Sequence, residues 1–364
     1  MKRRALLLIP LLLASHAFAD SPDKAAWHVF VQMVTPAQSA KAVQYETWAS
    51  DDDIYGASPH WPVTNAPKLL TKSLGGSASA PHPGRLMVAP ASSCAKPQDA
   101  AAGNFPADGC IGEEVRHNRP VYDTLTANNF NTVKGLVAAY ATGKPIVLPM
   151  GSVIAKADWV PVDDLMRWQP AYKTVAQVRA AFYTNTASLG GGQAREFALV
   201  GVSIQSKALP DWLWFTVEHR SNPGRCDIIG CHDSFGAVKA DIAPAATTNS
   251  DYGPCAKTKA LAALFASAGL DPVWNNYCLK GTQTHYVTKT GKPLILGNSV
   301  VERINHGIPI PHISCITCHA TASFDKNGQG NYAALKRAPI GQVNPDWLTG
   351  YDRADFMWGL LDAK

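Results

Sequence analysis

The chain has 364 residues, of which 46% are hydrophobic, so it is long enough and apolar enough to form a sizeable globular core. It carries 33 Lys and Arg against 28 Asp and Glu, which gives a formal charge of +5. No dense basic run follows the first four residues, and the composition therefore gives no indication of nucleic-acid binding.

The first 19 residues have the pattern of a secretion signal. Residues 2–4 are basic, residues 5–14 are apolar, and Ala17 and Ala19 are the small residues that precede a predicted cleavage after Ala19. The apolar run is too short to cross a bilayer, and no later run is long enough. The sequence therefore predicts export to the periplasm or the medium, with no membrane span. Cleavage would leave residues 20–364, whose formal charge is +2.

The first part of the mature chain contains few clear elements. Residues 27–34 mix aromatic and β-branched side chains, which fits a strand or the start of a buried helix. Residues 74–109 are rich in Gly, Ala, Ser and Pro and predict a long loop. Residues 131–142 predict a helix that ends at Gly143.

Strand and helix patterns follow without regular alternation. Residues 143–162 predict two strands separated by Pro and Gly. Gln177 follows Thr174 by three residues, which is the capping-box pattern of a helix start. Two almost continuous apolar runs, residues 196–204 and 212–220, predict a pair of strands covered on both faces.

The C-terminal third continues this mixture. Residues 258–272 predict a helix ended by Gly269 and Pro272, and residues 285–299 predict a hairpin through a Thr-Gly-Lys-Pro turn. Because helices and strands are mixed irregularly, the sequence favours an α+β fold over a doubly wound sheet.

The most specific motif is C-x-x-C-H, formed by Cys315, Cys318 and His319. This pattern is typical of covalent haem attachment, in which the two thiols add to the vinyl groups of haem and the histidine is the proximal iron ligand. A helix ordinarily follows, and the alanines after His319 permit one. The sequence thus predicts one haem c on a C-terminal helical segment.

Two other interpretations of this motif remain open. A zinc site would need two more ligands, which Cys226, Cys231 and His232 could supply from far back in the chain. A structural disulfide within the motif would leave its histidine without a role. Export favours haem, because bacteria attach haem to cysteines after translocation.

The other six cysteines are disulfide candidates in an oxidising compartment. Sequence proximity suggests the pairs Cys94–Cys110, Cys226–Cys231 and Cys255–Cys278. The second pair lies in the stretch CDIIGCH, which ends at His232 and whose C-x4-C-H spacing is also used for haem in some multihaem cytochromes. A second haem is therefore an alternative to a small disulfide loop, and the turn residues on both sides favour the loop.

The second axial ligand of the iron would determine much of the chemistry, because His/Met ligation raises the haem potential. Met357 lies downstream of the motif, and His219 ends an apolar strand, so each is a candidate distal ligand. The ordinary alternatives are a core methionine and a strand-end histidine bonded to loop backbone. His306 and His312 lie just before the motif and are expected at the haem edge or near a propionate.

Three segments, together with the secretion signal, resemble a family of large exported bacterial cytochrome c-like proteins. They read DWLWFTVEHRSNPGRC, LGNSVVE and SCITCHATAS. The resemblance implies one covalent haem near the C-terminus, with Cys315 and Cys318 as the thioether positions and His319 as the proximal ligand. It implies no substrate.

These features divide the chain into a signal peptide at residues 1–19, an N-terminal α+β region at residues 20–300 and a haem-attachment region at residues 301–364 packed on it. The expected function is single-electron transfer in the periplasm to a partner protein or a small redox molecule. A bare electron carrier needs only a small domain, yet roughly 290 residues precede the motif. The alternative is therefore a haem-dependent oxidoreductase or peroxidase whose N-terminal region forms a substrate pocket.

Overall fold

The computed structural model describes residues 21–37, 42–63, 68–70, 97–189, 194–245, 247, 249–337 and 339–364. The predicted signal peptide, most of the predicted loop at 74–109 and Cys94 lie outside these described residues. Within them, no helix is both long and apolar enough to cross a membrane.

The fold is a mixed α+β fold, as the irregular sequence pattern predicts. The described residues form the α-helices α1 Pro22–Val34, α2 Asp51–Tyr55, α3 Arg119–Ala127, α4 Val133–Thr142, α5 Val162–Trp168, α6 Val175–Ala181, α7 Lys259–Ser267, α8 Cys315–Ala320 and α9 Tyr332–Leu335. They also form a π-helix at Ser299–Asn305.

An eight-stranded sheet is the centre of the fold. The strands of the described residues are β1 Ala49–Ser50, β2 Lys68–Leu70, β3 Gly112–His117, β4 Val153–Pro161, β5 Thr184–Leu189, β6 Arg195–Ser206, β7 Leu213–His219, β8 Cys231–His232, β9 Asp241–Ile242, β10 Tyr277–Gln283, β11 Ser323–Phe324 and β12 Asp352–Arg353. The sheet runs β1-β3-β4-β6, and the far edge of β6 pairs with β5 at one end and with β7 at the other. Strand β2 extends the sheet beyond β5 in parallel, β10 extends it beyond β7, and the other pairings are antiparallel.

One face of this sheet is an apolar core covered by α1 and α7. Ser21 caps α1 by accepting a hydrogen bond from Lys24 N, and Pro22 occupies the first turn. Trp27 and Phe30 then lie on the buried side, where alternate apolar residues of β4, β6, β7 and β10 meet them. The ambiguous stretch at residues 27–34 is thus a buried helix, because its large side chains repeat at the helical spacing of three to four.

The opposite face is apolar at both ends and polar in the middle. Ile154 joins one apolar cluster and Val160 joins another, while Lys156 and Asp158 lie between them on the same side of β4. The π-helix covers this polar centre. A π-helix is rare and is often found at functional sites.

Asn298 holds the π-helix on the sheet. Its side-chain oxygen accepts hydrogen bonds from Val300 N and Val301 N at 2.9 and 3.1 Å, and its amide nitrogen donates to Thr216 Oγ1 at 2.7 Å. Gly201 of β6 permits this approach, because a Cβ there would lie 2.9 Å from the Asn298 amide nitrogen. Asn298 is completely buried.

Several local predictions are confirmed, one is wrong and one is confirmed in part. The helix after Thr174 has the predicted capping box, α4 and α7 are followed by Gly143 and Gly269 with positive φ, and the strand pair β6 and β7 is present. Residues 143–162 form one strand, β4, instead of two, since Pro145 and Pro149 lack amide hydrogens for a ladder. Residues 285–299 form a tight turn with one β-bridge, Val287 to Pro293, in place of a full hairpin.

We predict that Asn298→Ala lowers the free energy of unfolding by about 2–3 kcal/mol, because a helix cap is lost and the buried Thr216 hydroxyl loses its donor. Urea unfolding followed by tryptophan fluorescence measures this change. The matched control is Asn344→Ala, which removes an exposed cap from Asp346 N and should cost about 1 kcal/mol or less. Equal losses at the two positions would contradict the role assigned to Asn298.

Candidate functional site

Strand β10 positions the start of the motif helix α8. The side chain of Gln283, at the end of β10, accepts a hydrogen bond from Ile316 N at 3.2 Å and donates to Ser314 Oγ at 2.8 Å. Thr317 Oγ1 donates to the carbonyl of Gly341 at 2.7 Å. These buried contacts fix one side of α8 to the body of the protein.

The opposite side of α8 carries the three motif side chains. Cys315, Cys318 and His319 are each half-buried, at the spacing i, i+3 and i+4 that places them on one helical face. Ile316 and Thr317 between them are fully buried. Two thiols and one imidazole therefore share a single accessible face.

The backbone of the C-terminal segment orients His319. The carbonyl of Phe356 lies 2.8 Å from His319 Nδ1, and since a carbonyl can only accept, Nδ1 carries the proton. Nε2 is then the nitrogen with the free lone pair, as a metal-binding imidazole requires. The Trp214 ring lies 4.6 Å from the imidazole centroid to centroid. Burial lowers the pKa of His319 to about 4, so the imidazole is neutral at physiological pH.

This carbonyl points at the imidazole because the backbone is in a strained conformation. Asp355 and Phe356 have φ of 46° and 66°, and Trp212, which lies beside them, has φ of 67°. Bulky residues rarely adopt the left-handed region, and such strain persists only where surrounding contacts impose it.

An ion pair imposes this conformation. Both carboxylate oxygens of Asp355 lie 2.6 Å from Lys207 Nζ, and both side chains are more than nine-tenths buried. Asp355 also accepts hydrogen bonds from Leu148 N at 2.6 Å and from Trp212 Nε1 at 3.3 Å. Lys207 thereby holds the turn that aims the Phe356 carbonyl.

The two thiols are free in the structure. Cys315 Sγ donates to the carbonyl of Leu296 at 3.1 Å. Burial raises the pKa of Cys315, and it raises the pKa of Cys318 to about 11, so both groups are neutral thiols. The structure therefore does not contain the disulfide that one interpretation of the motif predicts.

The two predicted distal ligands, Met357 and His219, each have their own packing or hydrogen-bond partners in the structure. Met357 is buried in the core cluster, and it directly follows Phe356, whose carbonyl is on the Nδ1 side of His319. His219 lies five residues along β7 from Trp214, about 17 Å away at the usual strand rise. Its Nε2 bonds the carbonyl of Ala181 at 3.0 Å, its Nδ1 bonds Ser221 Oγ at 2.7 Å, and its ring stacks on Phe182. These contacts are those of a structural histidine.

The stretch CDIIGCH is a disulfide loop in the structure. Cys226 and Cys231 are bonded to each other, and the nearby guanidinium of Arg225 lies 3.4 Å from Cys226 Sγ. His232 is more than half exposed and contacts Asp241 at 2.6 Å. The predicted pair Cys255–Cys278 is also present, whereas Cys94, the predicted partner of Cys110, lies outside the described residues.

The remaining histidines before the motif have different surroundings. His306 Nε2 lies 2.6 Å from Glu113 Oε2 and 3.5 Å from Lys156 Nζ, within the polar centre of the sheet, whereas His312 is exposed. Glu302 Oε2 accepts a hydrogen bond from Asn298 N at 2.7 Å, two residues after the Leu296 carbonyl that accepts from Cys315 Sγ. The polar centre and the motif are thus neighbouring parts of one region.

Sequence reasoning missed several of these residues. Trp214, Lys156, Glu302 and the Phe356 carbonyl belong to no recognised motif, so the sequence alone does not point to them. Only the alternation of Ala with Lys156 and Asp158 in β4 could have indicated a polar stripe on an otherwise apolar strand.

No known protein family, curated protein or solved structure matches this chain. Within the described residues, no group of three or more His, Cys, Asp or Glu side chains is arranged to hold a metal ion.

We predict that Asp355→Asn lowers the free energy of unfolding by about 3 kcal/mol, because it leaves the buried Lys207 ammonium without its counter-charge. Thermal and urea unfolding measure the change. The control is Asp163→Asn, which breaks the exposed pair with Arg195 and should cost less than about 1 kcal/mol. A loss no larger than that of the control would contradict the assigned role of the ion pair.

We predict that His219 makes the protein less stable at low pH. Burial lowers its pKa to about 3, while an unfolded histidine titrates near 6.5. The unfolded state therefore binds the extra proton first, and the stability contributed by neutral His219 is complete above pH 6.5 and lost as the pH falls towards 3. The free energy of unfolding, measured with urea between pH 7 and pH 4, should depend less steeply on pH for His219→Gln than for the wild type. His60→Gln, at an exposed position, should keep the wild-type slope.

Proposed function

We propose that the chain is an exported c-type cytochrome that carries one covalent haem at Cys315, Cys318 and His319 and transfers single electrons. The observation that supports this proposal is the orientation of His319. Its Nδ1–H is bound to the Phe356 carbonyl, so its Nε2 lone pair is available on the face that it shares with two free thiols. This donor set fits covalent haem attachment.

Each part of the site has a defined role in this proposal. The two thiols would form the thioether bonds, each S–H adding across one vinyl group so that sulfur bonds one carbon and hydrogen the other. His319 would be the proximal ligand, and its bond to the Phe356 carbonyl would fix the imidazole and increase its basicity. A haem held there would supply a one-electron Fe(III)/Fe(II) couple.

The haem redox partner is proposed to be a protein or a small redox molecule. Trp214 and Trp358 lie next to the motif helix, and Trp358 Nε1 donates to the carbonyl of Cys318 at 3.2 Å. Trp358 is only partly buried, so this side of the motif is near the surface. The Cys226–Cys231 and Cys255–Cys278 disulfides are compatible with a periplasmic or secreted location.

A haem-dependent oxidoreductase or peroxidase is the second candidate function. The placement of Met357 and His219 favours it, because Met357 directly follows the residue whose carbonyl binds His319 Nδ1, and His219 bonds Ala181 and Ser221. An exchangeable sixth position would bind an external ligand. Rapid binding of CO to the reduced protein would support the enzyme, and a six-coordinate haem that does not react with CO would support the electron carrier.

We predict one covalent haem per chain after expression with cytochrome c maturation machinery. A pyridine haemochrome assay counts the haem, and intact mass under reducing conditions shows whether it is covalent. The Cys315→Ala/Cys318→Ala variant should contain no covalent haem, because both thioether positions are lost.

The matched control is the Cys226→Ala/Cys231→Ala variant, which removes the other closely spaced pair and should retain one haem. Two haems in the wild type, with one lost in this control, would make CDIIGCH a second attachment site. A wild-type chain without covalent haem would overturn the proposal and leave the motif as a dithiol.

A further inference from the structure

The polar centre of the sheet is a connected set of ionisable groups beside the motif. Lys156 Nζ lies 3.8 Å from Glu113 Oε2 and 3.7 Å from Glu302 Oε1, and His306 Nε2 lies 2.6 Å from the same Glu113 oxygen. Asp158 is the next residue on this side of β4. We call these five residues the acid–base cluster.

The cluster is mostly buried, but some of its side chains are partly exposed to solvent. The Glu113 and Asp158 side chains have no exposed surface, whereas Lys156 retains 24% and Glu302 13% of theirs. Protons can therefore reach the buried carboxyl groups from solvent through the partly exposed members. His306, which directly follows the π-helix, is the third partly exposed member.

The cluster contains more carboxyl groups than basic groups. Three carboxyl groups face one lysine and one histidine, in a region where an unpaired charge costs several kcal/mol. Burial and the neighbouring Glu113 raise the pKa of Asp158 well above its usual range, so Asp158 takes a proton readily. Burial alone would lower the pKa of Lys156, but Glu113 and Glu302 outweigh it and raise that pKa, so Lys156 stays charged.

A second ion pair lies beside the cluster. Glu218 of β7 is in register with Gly201 and Asp158 on the same face of the sheet, it lies 3.5 Å from Lys280 of β10, and both side chains are completely buried. From the π-helix, Asn305 Nδ2 lies 3.4 Å from Glu113 Oε2, and Glu302 also accepts from Ser203 Oγ at 3.1 Å. Glu218 and Lys280 thus form an ion pair of their own next to the acid–base cluster.

We propose that the acid–base cluster is a proton-uptake site that couples protonation to reduction at the C-x-x-C-H motif. This inference rests on the proposed function. When a haem bound at the motif is reduced by one electron from the redox partner, one proton from solvent would enter the cluster, with Asp158 or the hydrogen-bonded pair of Glu113 and His306 as the acceptor. Reduction adds negative charge beside the cluster and so favours its protonated form. Residues 296–298 connect the two parts, because Asn298 N donates to Glu302 and the Leu296 carbonyl accepts from Cys315 Sγ.

The test is the midpoint potential of the haem-loaded protein between pH 5 and pH 9, measured by spectroelectrochemistry. Coupling predicts that the midpoint potential falls as the pH rises. Its slope should approach one proton per electron between the two pKa values that the accepting group has in the oxidised and in the reduced protein. Asp158→Asn imitates the protonated carboxyl and should reduce this slope at least twofold. His306→Gln tests the second acceptor and remains informative if Asp158→Asn does not fold.

The matched control is Asp163→Asn, the same substitution at an exposed carboxylate that pairs with Arg195 outside the cluster, and it should keep the wild-type slope. A pH-independent wild-type potential would overturn the coupling while leaving the haem proposal intact. A slope that neither Asp158→Asn nor His306→Gln changes would overturn it as well and would assign the proton to another group, such as a haem propionate. A wild-type chain that acquires no haem would overturn both proposals together.

Discussion

The hydrogen bond between His319 and the Phe356 carbonyl is the contact on which the candidate site depends. It selects the tautomer of the imidazole, and it exists only because two successive residues hold a left-handed backbone. That backbone is in turn held by Asp355, which bonds Lys207 from the end of β6 and Leu148 N from a distant loop. The state of one imidazole nitrogen is thus set by a chain of contacts that spans half of the sequence.

The two faces of the central sheet differ strongly in polarity. Its first face is a continuous aromatic and aliphatic core, the largest apolar cluster of the described residues. Its second face is polar in the middle, where Glu218, Lys280, Glu113 and Asp158 are all buried. A stripe of charge in this position is costly in free energy, so its persistence beside the motif suggests a role other than stability. The apolar core on the first face is what allows the fold to tolerate it.

Local chemistry was predictable from the sequence, and distant contacts were not. The motif, the caps at Thr174 and Gly143 and two disulfide pairs follow from short spacings, and the structure has each of them. The ligand candidate His219 is a plausible choice from its position in an apolar strand, but its partners Ala181 and Ser221 can be known only once α6 and β7 are packed together.

The surroundings of the motif were the least predictable part. Lys207 and Asp355 are 148 residues apart, and no periodicity relates them. Lys156 appears in sequence as an ordinary charged residue of an alternating strand, which would normally face solvent. The π-helix that covers it has no recognised sequence pattern, so neither its position nor the burial beneath it could be inferred.

The π-helix also restricts which insertions and deletions this part of the sequence can accept. An α-helix turns by about 100° per residue, and the wider π turn accommodates an additional residue at the same place. Deleting one residue from Ser299–Asn305 would let the segment close into a tighter coil and would rotate everything after it by about that angle. His306 would then turn away from Glu113, and the chain leading to Cys315 would start from a different direction. Substitutions in this segment change one contact at a time, whereas an insertion or deletion displaces the proton-accepting residues and the motif together.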